Sequence, residues 1–219
     1  MKHFNLGLLL LFILSFTTLQ AQNDTNDKVY SDLGSDSKFS IVTYGGVGYA
    51  MIDNNAQPDY NLNASTADIL LHYTIGTRWG IATGIGFNQL SGNGFDNVDN
   101  NFYHERTTLK IPLLLSGNYN LSPKVRLVAN IGFYAQTIVR DDFEFAGGTT
   151  ISDVYEGWNF GLQSGIGLSY NFNQKLSLGI MFNTQGDFNR FDTASDVNIN
   201  NSQRTRSVNT VGLLFTFNL

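Results

Sequence analysis

The stretch WNFGLQSGIGLSYNFNQKLSLGIMFN, residues 158–183, decides how this chain folds. Its first half places Trp158, Phe160, Leu162, Ile166 and Leu168 on one side of a two-residue period. Asn159, Gly161, Gln163, Gly165, Gly167 and Ser169 fall on the other. A period of two is the signature of a strand with chemically different faces. Asn171–Lys175 reads as a tight polar turn. The alternation then resumes, with Leu176, Leu178, Ile180 and Phe182 against Ser177, Gly179, Asn183 and Gln185.

Alternation alone does not say which face is outside, since a soluble lipocalin-like barrel would carry its apolar side inward. The composition of the polar face decides the matter. A water-facing sheet favours Lys, Glu and Thr, and glycine weakens it. Here that face is glycine, asparagine, glutamine and serine, small groups that fit the narrow interior of an eight-stranded barrel. The apolar face is therefore assigned to lipid.

Working outward, the fourth strand carries Leu109, Ile111, Leu113 and Leu115 outside, and the fifth Val125, Leu127, Ala129, Ile131 and Phe133. Eight strands follow one another from about Lys38 to Leu219. Three connections are short: Gly76–Gly80, Tyr119–Lys124 and Asn171–Lys175. Four are long and polar: Asp53–Ala67, Ser91–Glu105, Arg140–Glu156 and Gly186–Arg204. Short turns alternating with long loops predict an eight-stranded antiparallel up-and-down transmembrane β-barrel, short turns toward the periplasm. Tyr73, Trp79, Tyr119, Tyr170 and Phe217 fit a lower aromatic girdle, and Tyr49, Phe87 and Trp158 an upper one. Pro112 lacks an N–H in mid-strand, so a bulge or kink is expected there.

The ends agree with an outer-membrane location. Lys2 and His3 precede the apolar run Leu6–Phe16, too short to span a bilayer as a helix, so residues 1–21 read as a cleaved export signal. Residues 22–37 are polar, acidic and aperiodic, a disordered periplasmic lead-in. Residues 38–219 form the barrel. The chain has no cysteine, which excludes disulfides and a lipoprotein thiol. Of its acidic residues only Asp68 falls inside an expected strand, and no basic patch suits nucleic acid.

The segment Leu109-Lys110-Ile111-Pro112-Leu113-Leu114-Leu115 is similar to the L-x-I-P-L-L-L strand of PorT-like outer-membrane β-barrel proteins of the Bacteroidota. Gly161-x-x-x-Gly165-x-Gly167, the closing Gly212-x-x-Phe215-x-Phe217 and the Ala21-Gln22 signal end also resemble that group. The resemblance covers the mature chain and implies barrel architecture. It says little of function, the group being heterogeneous; one member is implicated in type IX secretion.

Candidate chemistry is sparse. Asp68, His72, Lys110, Arg126, Asn130 and Gln163 all point inward and are expected to form an interior polar network, because buried charges are costly unless paired. Asp68 and His72 lie four residues apart, roughly 13 Å along a strand, too far for direct contact. A Ser–His–Asp hydrolase and a narrow pore are the minor alternatives. His104, beside Glu105 and Arg106, reads as a solvated strand end. Asp96 and Asp99, or Asp141, Asp142 and Glu144, are the weak candidates for calcium, lacking the ordered spacing of a calcium loop. No glycine pair opens a helix, so no cofactor is expected. The expectation is a non-enzymatic scaffold or accessory subunit whose partners are outer-membrane lipid and a protein of the outer membrane or periplasm. A small-ligand or lipid-binding barrel is the alternative.

Overall fold

The computed structural model describes residues 38–98, 100–193 and 201–219. The signal segment 1–21 and lead-in 22–37 lie outside the described residues. Eight long strands close into a ring: β1 (Phe39–Asn54), β2 (Tyr60–Thr74), β3 (Trp79–Phe95), β4 (Asn101–Asn120), β5 (Val125–Phe145), β8 (Trp158–Asn171), β9 (Leu176–Asp187) and β11 (Gln203–Asn218). Each pairs antiparallel with the next, and β1 pairs β11 from Ser40↔Asn218 upward to shut the seam. Three short strands decorate the top: β6 (Thr150–Ser152) on β5, and β7 (Tyr155–Glu156) paired with β10 (Asp192–Thr193).

The short turns are built by local side-chain acceptors. Ser122 Oγ accepts the Val125 N–H at 3.1 Å, and Asn173 Oδ1 accepts those of Lys175 and Leu176 at 2.8 Å. Above them the outer wall is apolar: Ile69, Leu113, Phe133 and Ile180 are 58–64% exposed in the isolated chain. An apolar surface this large and continuous calls for lipid. On β4 the apolar outward positions run from Tyr119 to Leu109, about 33 Å of strand and roughly 25 Å of height at the usual tilt, the thickness of an outer-membrane apolar band.

The strands do not stop at that band. β4 is 20 residues and β5 21, and their upper halves stand above the lipid. There the wall reverses. Asn61, Asn63 and Ser65 of β2 point outward, with Tyr60, Leu62 and Ala64 inside. These join Ile52, Leu90, Phe102, Phe143, Val154, Tyr155 and Phe191 in a buried apolar cluster that caps the barrel. The long connections are therefore shorter than the sequence pattern predicts: residues 55–59, 96–100, 146–157 and 188–202, with strand continuing through Tyr60–Ala67, Ser91–Phe95 and Arg140–Phe145. The reason is chemical. A strand leaving lipid for water needs polar residues outside, and such a sequence reads as loop. Asp68 is accordingly not the sole strand acid, since Asp53, Glu105, Asp141, Asp142, Glu144 and Asp187 lie in strands too.

Two bulges adjust this transition. β11 carries one unpaired residue, Arg206, between Thr205↔Ile52 and Ser207↔Met51; β5 carries Val139 between Ile138↔Thr108 and Arg140↔Thr107. Each flips which parity faces inward, so that Asp141 and Phe143 follow Gln136 into the interior. No bulge forms at Pro112. Its pairing with Tyr134 holds register, while the β3–β4 ladder opens between Thr83↔Leu113 and Gly86↔Lys110. The missing N–H is absorbed by that opening, where the Thr83 hydroxyl donates to the Pro112 carbonyl at 2.8 Å.

Leu113→Arg, at the middle of the apolar band, is expected to cost about 2–4 kcal/mol in urea unfolding from lipid vesicles. Asn63→Arg, equally outward but above the band, is expected to stay within about 0.5 kcal/mol of the parent. Similar costs at both positions would contradict this placement of the lipid boundary.

Candidate functional site

The interior is organised in three levels. The highest lies inside the cap, above the apolar band. Arg106 of β4 is fully buried and grips Asp141 of β5, Nε to Oδ1 at 2.7 Å and Nη2 to Oδ2 at 3.2 Å, while Nη2 also donates to Gln203 Oε1 at 2.8 Å. Tyr155 and Phe191 face the guanidinium at 5.2 and 5.8 Å. His104 Nε2 stands 2.8 Å from Asp141 Oδ1, and its Nδ1 2.8 Å from the Tyr60 hydroxyl, which is 3.1 Å from Gln203 Nε2. One tautomer satisfies all of these: Nε2–H donates to the carboxylate, and Nδ1 accepts from Tyr60, whose oxygen accepts from Gln203. The ring stacks on Phe143 at 4.0 Å.

His104 is thus not a solvated strand end; it is 0% exposed. Burial pushes its pKa below the ordinary histidine range, against the pull of Asp141. Burial alone would raise the Asp141 pKa; the Arg106 charge and the His104 bond outweigh it and hold the carboxyl low. At neutral pH the group is a buried ion pair with a neutral imidazole attached.

The middle level spans the barrel within the membrane. Lys110 Nζ donates to Gln163 (2.9 Å), Gln185 (2.8 Å) and Asp68 Oδ2 (3.3 Å), with Asp68 Oδ1 3.0 Å away in the ion pair. Gln163 closes the loop by donating to Asp68 at 3.2 Å. One lysine so ties β4 to β2, β8 and β9. Gly86 is needed beside it, since a Cβ there would collide with Asp68 and with the Lys110 chain. Just above, Asp187 accepts from the Tyr134 hydroxyl and from Gln136, each at 2.7 Å.

The lowest level is separate. His72 stands between Ser40 (3.2 Å) and Ser116 (2.6 Å), with no carboxylate. Arg126 donates to Ser177 at 3.2 Å, and Asn130 reaches the Met181 sulfur at 3.7 Å. Of the six expected residues the fold joins Asp68, Lys110 and Gln163; His72, Arg126 and Asn130 stand apart. Arg106, Asp141, His104 and Asp187 were not anticipated as interior residues. A capping pattern, apolar residues at the inward positions above Arg106, is the one signal that could have revealed them.

The chemistry open to these groups is limited. Tyr60–His104–Asp141 has the connectivity of a nucleophile–base–acid relay, but the hydroxyl points into the cluster, sealed beneath Phe102 and Gln203. His72 has serines but no acid. Among the described residues no three His, Asp or Glu side chains are placed to hold a metal. Asp142 is engaged by Arg140, and Asp96 accepts N–H groups of its own turn; Asp99 lies outside the described residues.

Asp141→Ala would strand the buried Arg106 charge and is expected to cost about 3–5 kcal/mol, whereas Asp142→Ala, which breaks an exposed pair, should cost no more than about 1 kcal/mol. Denaturant melts of the two variants decide between them. The His104 shift also has a sign. A depressed folded-state pKa means the unfolded cap takes up its proton first, so cap stability is complete above about pH 6.5 and declines below it, by up to about 1.4 kcal/mol per unit. Protection factors of the β4 amides from Phe102 to Arg106, which take out the intrinsic pH dependence of exchange, should fall as pH drops from 7 to 5, and His104→Gln should flatten that response.

Comparison with known proteins follows this geometry. The family model described as outer membrane protein beta-barrel domain matches residues 20–189. Neisserial surface protein A is similar in fold, at 11% identity over 84% of this chain and 98% of that one, with a TM-score of 0.52. OprG from Pseudomonas aeruginosa is 13% identical over 85% and 99%, with a TM-score of 0.45. No curated protein matches the sequence. With a lipid-facing band of outer-membrane height and a matching family model over most of its length, this chain is an outer-membrane protein and belongs to the outer membrane protein beta-barrel domain family.

Proposed function

We propose that this barrel is a non-enzymatic, membrane-embedded accessory subunit whose working surface is the outer half that stands above the lipid. The observation that carries the reading is the capped lumen. Arg106, Phe191 and Leu90 are each at most 1% exposed and fill the bore above the Lys110 network, which favours a scaffold over a conduit. The same filling argues against a lumen for an apolar ligand.

The contact surface is placed at the β3–β4 hairpin. Phe95, Val98 and Tyr103 are 55%, 75% and 43% exposed beside a wall whose outward residues include Gln89, Asn93, Asn101 and Glu105. Lipid does not reach that height, so these apolar groups face water unless a protein covers them.

Affinity purification of the tagged protein from its native membrane in mild detergent tests this directly. A stoichiometric companion is expected, and Tyr103→Ser with Phe95→Ser should release it while the barrel keeps its heat-dependent gel shift. The same preparation should show no step conductance in planar bilayers. A barrel recovered alone, or one that conducts, would overturn the reading.

A further inference from the structure

Below the Asp68–Lys110 level the interior changes in charge and in access. Residues 38–46, 70–82, 112–132, 165–181 and 212–219, which make the periplasmic half, contain no Asp or Glu. They contain Lys38, Arg78, Lys124, Arg126 and Lys175. Four of these bases sit at strand ends or in turns. Arg126 alone points into the lumen.

The interior there is less tightly sealed than in the cap. Inward Val42, Arg126, Val128 and Asn130 are partly accessible, whereas inward residues of the cap such as Leu90, His104 and Arg106 are sealed. Tyr44, Leu70, Leu114, Met181 and Leu214 are buried and form the end of the recess. Inward polar groups below this apolar layer lie on the periplasmic side of it.

Arg126 is incompletely satisfied there. Its Nη2 reaches only the Ser177 hydroxyl, and its Nε is buried without a partner. Among the described residues no carboxylate forms an ion pair with it, and its one hydrogen bond is to a neutral hydroxyl. A guanidinium cannot shed its proton, and burying it unpaired is costly. Every other inward cation in the barrel has its acid: Arg106 has Asp141, and Lys110 has Asp68. Hydroxyls of Ser40, Ser116 and Ser177 line the same recess, all buried and polar.

We infer that Arg126 is the anchor of a binding site for a small oxyanion entering from the periplasm, a phosphate or carboxylate group held by the guanidinium fork with the Ser177 hydroxyl beside it. The fork geometry matches such groups, and the bond is charge-assisted. The turn bases Lys124 and Lys175 give the mouth a positive field that draws anions in. This site is independent of the accessory role assigned to the outer half.

Inorganic phosphate is the probe. The full chain, folded in a non-ionic maltoside detergent at constant ionic strength, is titrated by calorimetry. Saturable binding of one phosphate per barrel is expected. Arg126→Gln should weaken it by about tenfold or more and Ser177→Ala by a few-fold, as loss of a charged and of a neutral bond requires. Arg140→Gln, at the other end of the molecule, should change nothing. The heat-dependent gel shift confirms that each variant is folded. Repeating the titration in phosphatidylglycerol vesicles separates the sources: binding retained means a soluble anion, and binding blocked there but present in detergent means a lipid headgroup fills the site. Absence of saturable binding in the parent in detergent, or binding unchanged in Arg126→Gln, would overturn the inference.

Discussion

A closed strand wall has two faces and one rule: what lies outside fixes what must lie inside. Apart from the opening at Pro112 and the two bulges, the strand wall commits its backbone to its neighbours, because lipid offers no alternative partner. The side chains then sort by solvent. Where lipid is outside, Leu113 and Ile180 project into it and Asp68, Lys110 and Gln163 fill the bore. Where water is outside, Asn63 and Ser65 project and Leu62, Leu90 and Phe143 fill it. One continuous ring of eight strands obeys both conditions in turn, and the boundary between them organises the rest of the structure.

That boundary also explains what could be read from residues 158–183 and their neighbours. Within the lipid the alternation is strong, the turns are short and the girdle aromatics are placed, so strand number, order and topology are legible. Above it, Tyr60–Ala67 and Arg140–Phe145 have the composition of loops, although they are strand. Two single-residue bulges, at Val139 and Arg206, then shift the parity, so no simple alternation carries Asp141 or Gln203 to the interior. His104 is the sharpest instance. Its neighbours Glu105 and Arg106 suggest a solvated end, yet the imidazole is stacked on Phe143 and bonded to Asp141, which arrives from a strand 37 residues away. The lumen charges divide likewise. Lys110 and Asp68 are deducible as a pair because both lie in the unambiguous part of the wall. Arg126 shares their face, but counting from the Tyr119–Lys124 turn sets it low in the barrel, below Lys110 and away from Asp68.

The three interior levels use different means to settle buried polarity. The cap uses an ion pair wrapped in aromatic rings, so that Arg106 is both neutralised and packed. The middle uses Lys110 as a cross-brace with all three donors engaged. The lowest leaves Arg126 without an acid and with its buried Nε unpaired. The interior is thus sealed toward the outside and less fully satisfied toward the periplasm.

The natural absence of cysteine makes the central claim directly measurable, since a single introduced cysteine is the only labelling site. Nitroxide labels at Asn63, Tyr103, Leu113 and Ile180, with the barrel in lipid vesicles, report collisions with oxygen, which partitions into lipid, and with a polar nickel chelate, which does not. The account predicts oxygen-dominated relaxation at Leu113 and Ile180 and chelate-dominated relaxation at Asn63 and Tyr103. Oxygen-dominated relaxation at Asn63 and Tyr103 would put the upper wall in the membrane and contradict the reversal on which the structure depends.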